Sequence, residues 1–198
     1  MTAPEPASRI LVTAFEPFGR PGSPVRPENA SERVLRAFLE LHPDRVSSAV
    51  LHVDARCEVH LAREFDGNPG GVVATGEAGG EGKWDTNVEE VARDLPVAAS
   101  AAVDVEAGGD AVFRTSLFAP GLALLPGMER EDRIGSYWCN RAYWRVLEWT
   151  QLFHRPAVFL HFRVGGDRER QLHHLAHVVD STERTLHRAP PVLERRRR

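Results

Sequence analysis

A thiol at the junction between extended chain and helix is placed for nucleophilic chemistry, and Cys139 sits at such a junction. Gly135-Ser136-Tyr137-Trp138-Cys139-Asn140 runs straight into the helix-forming Arg141-Ala142-Tyr143-Trp144-Arg145-Val146-Leu147-Glu148. The first turn of a helix offers unpaired N–H groups and the positive end of the dipole, which favour thiolate and lower a cysteine pKa from its free value of about 8.5. Such a nucleophile needs a base, and the base needs an orienting group. The apolar run Ala157-Val158-Phe159-Leu160 ends in His161 and reads as a buried strand with a histidine at its carboxyl end. Open α/β sheets gather their sites at that edge. Taken alone, each residue has a plainer reading. Free cysteine is among the most often buried residue types, and a single histidine is more often a core or surface residue satisfied by backbone.

The elements around these two residues alternate between strand and helix. Residues 9–15 form an apolar strand that ends where Glu16 brings a charge and Pro17 removes a ladder donor. A Pro/Gly-rich loop follows over 17–27. The spacing of Val34, Leu35, Phe38 and Leu39 predicts an amphipathic helix over 31–42, with Asn29 or Ser31 as N-cap. Strands are expected over 46–53, 71–75 and 158–161, and helices over 57–65, 140–153 and 168–187. The stretch 95–109 has no assignable pattern. This order predicts an α/β fold: a single-domain three-layer α/β/α sandwich with a mainly parallel central sheet. It places the domain at 9–187, between a disordered N-terminal extension over 1–8 and a Pro/Arg-rich tail over 188–198.

Six short motifs, in order along nearly the whole chain, resemble those of the type I pyroglutamyl peptidases (pyrrolidone-carboxylate peptidases), a family of cysteine peptidases. Ile10-Leu11-Val12-Thr13-Ala14-Phe15-Glu16-Pro17-Phe18-Gly19 resembles the opening strand and its Phe-Glu-Pro-Phe-Gly loop. Asn29-Ala30-Ser31 is similar to the Asn-Pro-Ser that starts the first helix, with Ala in place of Pro. Thr75-Gly76-Glu77-Ala78-Gly79-Gly80 resembles the glycine-rich turn after the third strand, and Val88-Glu89-Glu90-Val91-Ala92 the segment bearing the catalytic glutamate. The cysteine and histidine segments complete the set.

Carried over residue by residue, the resemblance implies Cys139 as nucleophile, His161 as its base and later acid, and Glu89 as the carboxylate that orients the imidazole. Glu90 is its neighbour, and in a strand only one of the two can face His161. The resemblance further implies a lactam pocket containing Phe15, Phe18, Glu77, Tyr137 and Trp138. Trp138 is larger than the residue usual at its position and would narrow that pocket. The implied substrate is a peptide with an N-terminal pyroglutamate, whose uncharged lactam calls for apolar walls and a few amide-reading groups. The implied assembly is a homo-oligomer.

The chain departs from the family where Glu77 and Glu81 stand in place of Gln and Arg, and no Pro-Asp-Asn follows Arg93-Asp94-Leu95-Pro96. Two added carboxylates near the thiol would raise its pKa, which predicts weak activity with an alkaline-shifted optimum. The alternatives are a thiol hydrolase of altered specificity and a non-catalytic paralogue that serves as a binding module.

Other function classes find little support. The chain has 198 residues, 42% apolar and 27% charged, with net charge −3, values of an ordinary globular domain that argue against a nucleic-acid partner. Arg195-Arg196-Arg197-Arg198 after Pro190-Pro191 reads as a solvated tail. Cys57 and Cys139 provide neither a disulfide framework nor a Cys-x-x-Cys, which fits a reduced, cytoplasmic thiol enzyme. No signal peptide is read at the N-terminus, and no run approaches the roughly 20 apolar residues of a membrane span. No cofactor is expected. His173, His174 and His177 share a predicted helix but lack the further ligands of a metal site, and no Gly-Lys-Ser/Thr follows Gly76, Gly79 and Gly80 to make a phosphate loop.

Overall fold

The computed structural model of the chain describes residues 9–19, 24–79, 83–93, 113–131 and 137–188. Its centre is a six-stranded sheet. In chain order the elements are β1 (Ile10–Phe15), α1 (Ala30–Leu41), β2 (Ser47–Leu51), α2 (Arg56–Asp66), β3 (Gly71–Ala78), β4 (Thr86–Glu89), β5 (Val91–Arg93), β6 (Phe113–Thr115), β7 (Met128–Glu131), α3 (Trp138–Phe153), β8 (Ala157–Arg163) and α4 (Arg168–Arg188). The strand order is β2-β1-β3-β8-β4-β7, with β5 and β6 paired separately. All neighbours in the large sheet are parallel except β4 and β8, which are antiparallel. The fold is thus α/β with a mostly parallel sheet.

The middle strands are apolar on both faces because both faces are covered. Ile10, Val12, Ala14, Val73, Val158, Leu160 and Phe162 pack with α1 and α4, whereas Leu11, Phe15, Val72, Ala74 and Phe159 pack with α2 and α3. In α1 the fully buried Val34, Leu35 and Phe38 form its inner stripe, each worth roughly 1.5–3 kcal/mol of burial. Asn29 caps this helix. Its side chain accepts from the Ser31 N–H at 2.9 Å and donates to the Glu16 carbonyl at 3.2 Å, while the Ser31 hydroxyl accepts from the Phe15 N–H. The Asn29-Ala30-Ser31 segment therefore ties α1 to the end of β1.

Two strands outrun their expected ends. β3 continues to Ala78 and β8 to Arg163, pairing through Gly76↔His161, Glu77↔Phe162 and Ala78↔Arg163. His161 lies inside its strand, two residues before the end. Just beyond, the buried Asp85 fixes the turn into α4: it accepts from the Asp167 N–H at 2.9 Å and from Arg170 at 3.1 Å. Gln171 donates to the carbonyls of Asp85 and Arg163. The unassigned stretch 95–109, the extension 1–8, Glu81 and the four terminal arginines lie outside the described residues.

Candidate active site

Three neighbouring strands and one helix supply the groups around Cys139. On β8, His161 stands between Gly76 of β3 and Asn87 of β4. Residues directly opposite one another project from the same face, and residues two apart along a strand share it. Asn87 and Glu89 therefore emerge on the side of His161. Nδ1 of His161 lies 2.6 Å from Oε1 of Glu89, and the Cys139 thiol acts electrostatically on the same imidazole. With Nδ1 given to the carboxylate, Nε2 is left for sulfur. Glu90 leaves on the opposite side and pairs with Arg130 at 3.0 Å.

Cys139 is the second residue of α3. Tyr137 is its N-cap in an extended conformation, and its carbonyl accepts from the N–H groups of Asn140 and Arg141 at 3.0 and 3.3 Å. The amides of Trp138 and Cys139 precede these bonds, as expected at a helix start. The thiol needs the room that Gly76 leaves. A Cβ at position 76 would lie 3.0 Å from Sγ of Cys139 and 2.9 Å from the Phe159 ring. One helical turn beyond the cysteine, the buried Tyr143 donates its hydroxyl to the backbone carbonyl of Glu89 at 3.0 Å and packs on Phe159.

The electrostatics set the two cysteines and the histidine apart. Burial alone lowers the imidazole pKa, but Cys139 and the hydrogen bond to Glu89, reinforced by the charges of both, outweigh it and push His161 up to about 10. Cys57 is 0% exposed, and burial with help from the charge of Glu58 pushes its thiol up to about 12. Cys139 is 8% exposed. Both cysteines are free. An imidazolium held between a carboxylate and a sulfur is equipped for proton transfer at the thiol.

The aromatic residues border this site. Phe15 belongs to the same buried cluster as Cys139, with Tyr137 and Trp138 packed against it. The Phe18 ring stacks obliquely on Tyr137 at 5.6 Å between centroids, and Arg26 lies over the Phe18 ring.

Glu77 stands apart from the other residues implied for the pocket. Alternation along β3 turns Gly76 toward Cys139, so Glu77 faces α1. Its carboxylate accepts from the Ala30 N–H at 2.7 Å and forms an ion pair with Arg26. It is ion-paired there, on the face of β3 away from Gly76. Its reach toward the pocket is indirect, through Arg26 onto Phe18.

The residues that sequence reasoning missed are Asn87, Tyr143 and Asp85, which matter through sheet register and helix packing and carry no motif of their own. His174 is engaged by Thr86 at Nδ1 (2.8 Å) and by the Pro126 carbonyl at Nε2 (3.1 Å), and His177 by the Ala123 carbonyl. Among the described residues no group of three or more His, Cys, Asp or Glu side chains could hold a metal. Nor is any described helix long and apolar enough to cross a membrane.

Comparison with known proteins was informative at the level of structure. No protein-family model matches the chain, and no curated protein matches it by sequence. Solved structures do. The pyrrolidone carboxyl peptidase from Thermococcus litoralis superposes with TM-score 0.69 at 17% identity, over 91% of this chain and 95% of that one. A mutant of the Pyrococcus furiosus enzyme gives TM-score 0.67 at 18% identity over 90% and 99%. The pyroglutamyl peptidase I from Bacillus amyloliquefaciens gives TM-score 0.62 at 18% identity over 89% and 91%. The chain has the fold of these peptidases over nearly its whole length.

Proposed function

We propose that this chain, built on the fold of the pyrrolidone carboxyl peptidases, is a divergent cysteine peptidase that removes N-terminal pyroglutamate from peptides. The observation that carries the reading is the hydrogen bond between His161 and Glu89 beside the Cys139 thiol, with the three residues on β8, β4 and α3. In this reaction His161 takes the Cys139 proton at Nε2, while Glu89 holds the Nδ1 proton and so fixes the tautomer. The thiolate attacks the carbonyl carbon of the pyroglutamyl residue, and negative charge collects on its oxygen near the amide of Cys139 at the helix start. The imidazolium then gives its proton to the leaving amine, the C–N bond breaks, and a thioester remains. Water, deprotonated by His161, releases pyroglutamate and restores the thiol. Phe15, Phe18, Tyr137 and Trp138 serve as the apolar walls for the lactam, and the reaction needs no cofactor.

Two free cysteines in one chain fit a reducing, cytoplasmic setting. The proposed assembly, a homo-oligomer, is read by light scattering. The deciding experiment is hydrolysis of a pyroglutamyl chromogenic amide by the wild type and by Cys139→Ala. Turnover by the wild type alone supports the proposal. No turnover at any pH, together with rapid alkylation of Cys139, would replace it by a thiol hydrolase of altered specificity. Absence of both would leave a non-catalytic binding module.

A further inference from the structure

Among the described residues, two oxygen atoms on the thiol-facing side of β4 are buried without a hydrogen-bond partner: Oε2 of Glu89 and Oδ1 of Asn87. Both side chains are enclosed, their residues only 2% and 7% exposed. Asn87 is the Cα partner of His161 across the β4–β8 ladder, and Glu89 is the next residue on the same face. A buried acceptor left without a donor costs about 1–3 kcal/mol, and native interiors leave few of them. Here two stand on one face, and one of them belongs to an amide.

An asparagine amide carries a donor and an acceptor at nearly equivalent positions, and a half turn about its last torsion exchanges them. That half turn sets an N–H where a lone acceptor stood. Strand rise of about 3.3 Å per residue separates the two Cα atoms by roughly 6.6 Å, a gap that an Asn and a Glu side chain bridge together. The Tyr143 hydroxyl is committed to the Glu89 carbonyl, and Oε2 has no other donor among the described residues. We infer that Asn87 is a positioning residue whose side-chain N–H donates to Oε2 of Glu89, holding the carboxylate so that Oε1 stays on Nδ1 of His161. The inference rests on Glu89 being the orienting carboxylate of the proposed peptidase.

The test is a double-mutant cycle between positions 87 and 89. Asn87→Asp is isosteric and removes the donor, and Asn87→Ser keeps a shorter one. Each is made with Glu89 and with Glu89→Gln, and thermal melts establish folding. The first readout is alkylation of Cys139 by iodoacetamide, which needs no substrate. The second is the kcat and KM for the pyroglutamyl amide. Asn87→Asp is expected to slow alkylation and lower kcat about tenfold or more, the scale of a lost bond to a charged group, with KM unchanged. Asn87→Ser recovers part of both. In the Glu89→Gln background Asn87→Asp adds less than about twofold, because its partner is already gone. Additive losses, or a change in KM alone, overturn the inference. Should Asn87→Asp fail to fold, Asn87→Ser against Asn87→Ala carries the same comparison. A non-additive alkylation cycle without turnover of the amide keeps the Asn87 assignment and rejects the substrate.

Discussion

Replacing Glu89 by Gln removes a single charge beside His161 and tests the proposed reaction most directly. The carboxylate lies 2.6 Å from Nδ1 of His161, with side-chain exposures of 3% and 13%, so water screens the contact little. A hydrogen bond to a charged group is worth about 1.5–3 kcal/mol, and at 1.36 kcal/mol per decade its loss alone predicts a fall of roughly 10- to 100-fold in rate. A second effect compounds it. The Gln amide can present its own N–H to Nδ1, which stabilises the tautomer with the proton on Nε2, where no base is left for the thiol. In serine triads the equivalent change costs about four decades, so the expected loss here is roughly two to four. Glu90→Gln is the control. Its partner Arg130 lies on the opposite side, both side chains are partly exposed, and such a pair contributes about 0–1 kcal/mol to stability. The assay is kcat and KM on the pyroglutamyl amide, with iodoacetamide alkylation of Cys139 in parallel. An equal or larger loss from Glu90→Gln would refute the reasoning.

Cys139→Ala and Cys139→Ser should abolish hydrolysis with the melting temperature within a few degrees of wild type, and peptide mapping after brief iodoacetamide treatment should find label on Cys139 well before Cys57; faster labelling of Cys57 would sink the assignment. Gly76→Ala should lower both stability and alkylation rate, since its Cβ would meet Sγ and the Phe159 ring at 3.0 and 2.9 Å and overpacking of this kind costs about 1–3 kcal/mol; unchanged kinetics in a folded protein would contradict the crowding. With the His161 pKa raised to about 10, the alkaline limb of the rate profile should fall near pH 10, as the imidazolium that protonates the leaving amine is lost. The same proton affects stability: the folded state keeps it from about pH 6.5 to 10 while the unfolded state releases it, so this contribution is full below 6.5 and fades as pH rises through 10. Urea melts of wild type and Cys139→Ala at pH 8.5 and 10 measure it, and a wild-type protein that gains stability toward pH 10 relative to Cys139→Ala would overturn the assignment.

Much of the layout was legible from the chain, and the limits have physical causes. The strands that became β1, β2, β3 and β8 announce themselves as apolar runs, and α1 by its stripe and cap. β4 to β7 do not. They are three or four residues long, and β7 presents Glu129, Arg130 and Glu131 in a row, with no periodicity to read. The antiparallel run of β4 was invisible for the same reason. Cys139 and His161 stood out by their places near expected element ends, although β8 runs two residues past His161, and telling Glu89 from Glu90 needed the register of β4 against β8. The same parity decided Glu77. A glycine-rich motif names the residues but not the face each takes, and the strand sends the carboxylate next to Gly76 to α1. Asn87 had no signal at all, since its interest lies in being opposite His161.

The contact between Tyr143 and the Glu89 carbonyl joins the helix of Cys139 to the strand of Glu89 through a residue four places after the cysteine. Within a helix, residues four apart are held at a nearly fixed separation by the backbone hydrogen bonds of that turn. If substitutions in the surrounding layers nudge α3 along or about its axis by a fraction of an ångström, the sulfur and the tyrosine hydroxyl travel together, and the hydroxyl draws the end of β4 after it. The spacing between thiol and carboxylate is then set by a rigid ruler and protected from the sum of all the packing between them. Sequence drift in the two cores can accumulate under such an arrangement without detuning the centre. A chain sharing fewer than one residue in five with its structural neighbours can hold Cys139, His161 and Glu89 in a fixed relation by this means.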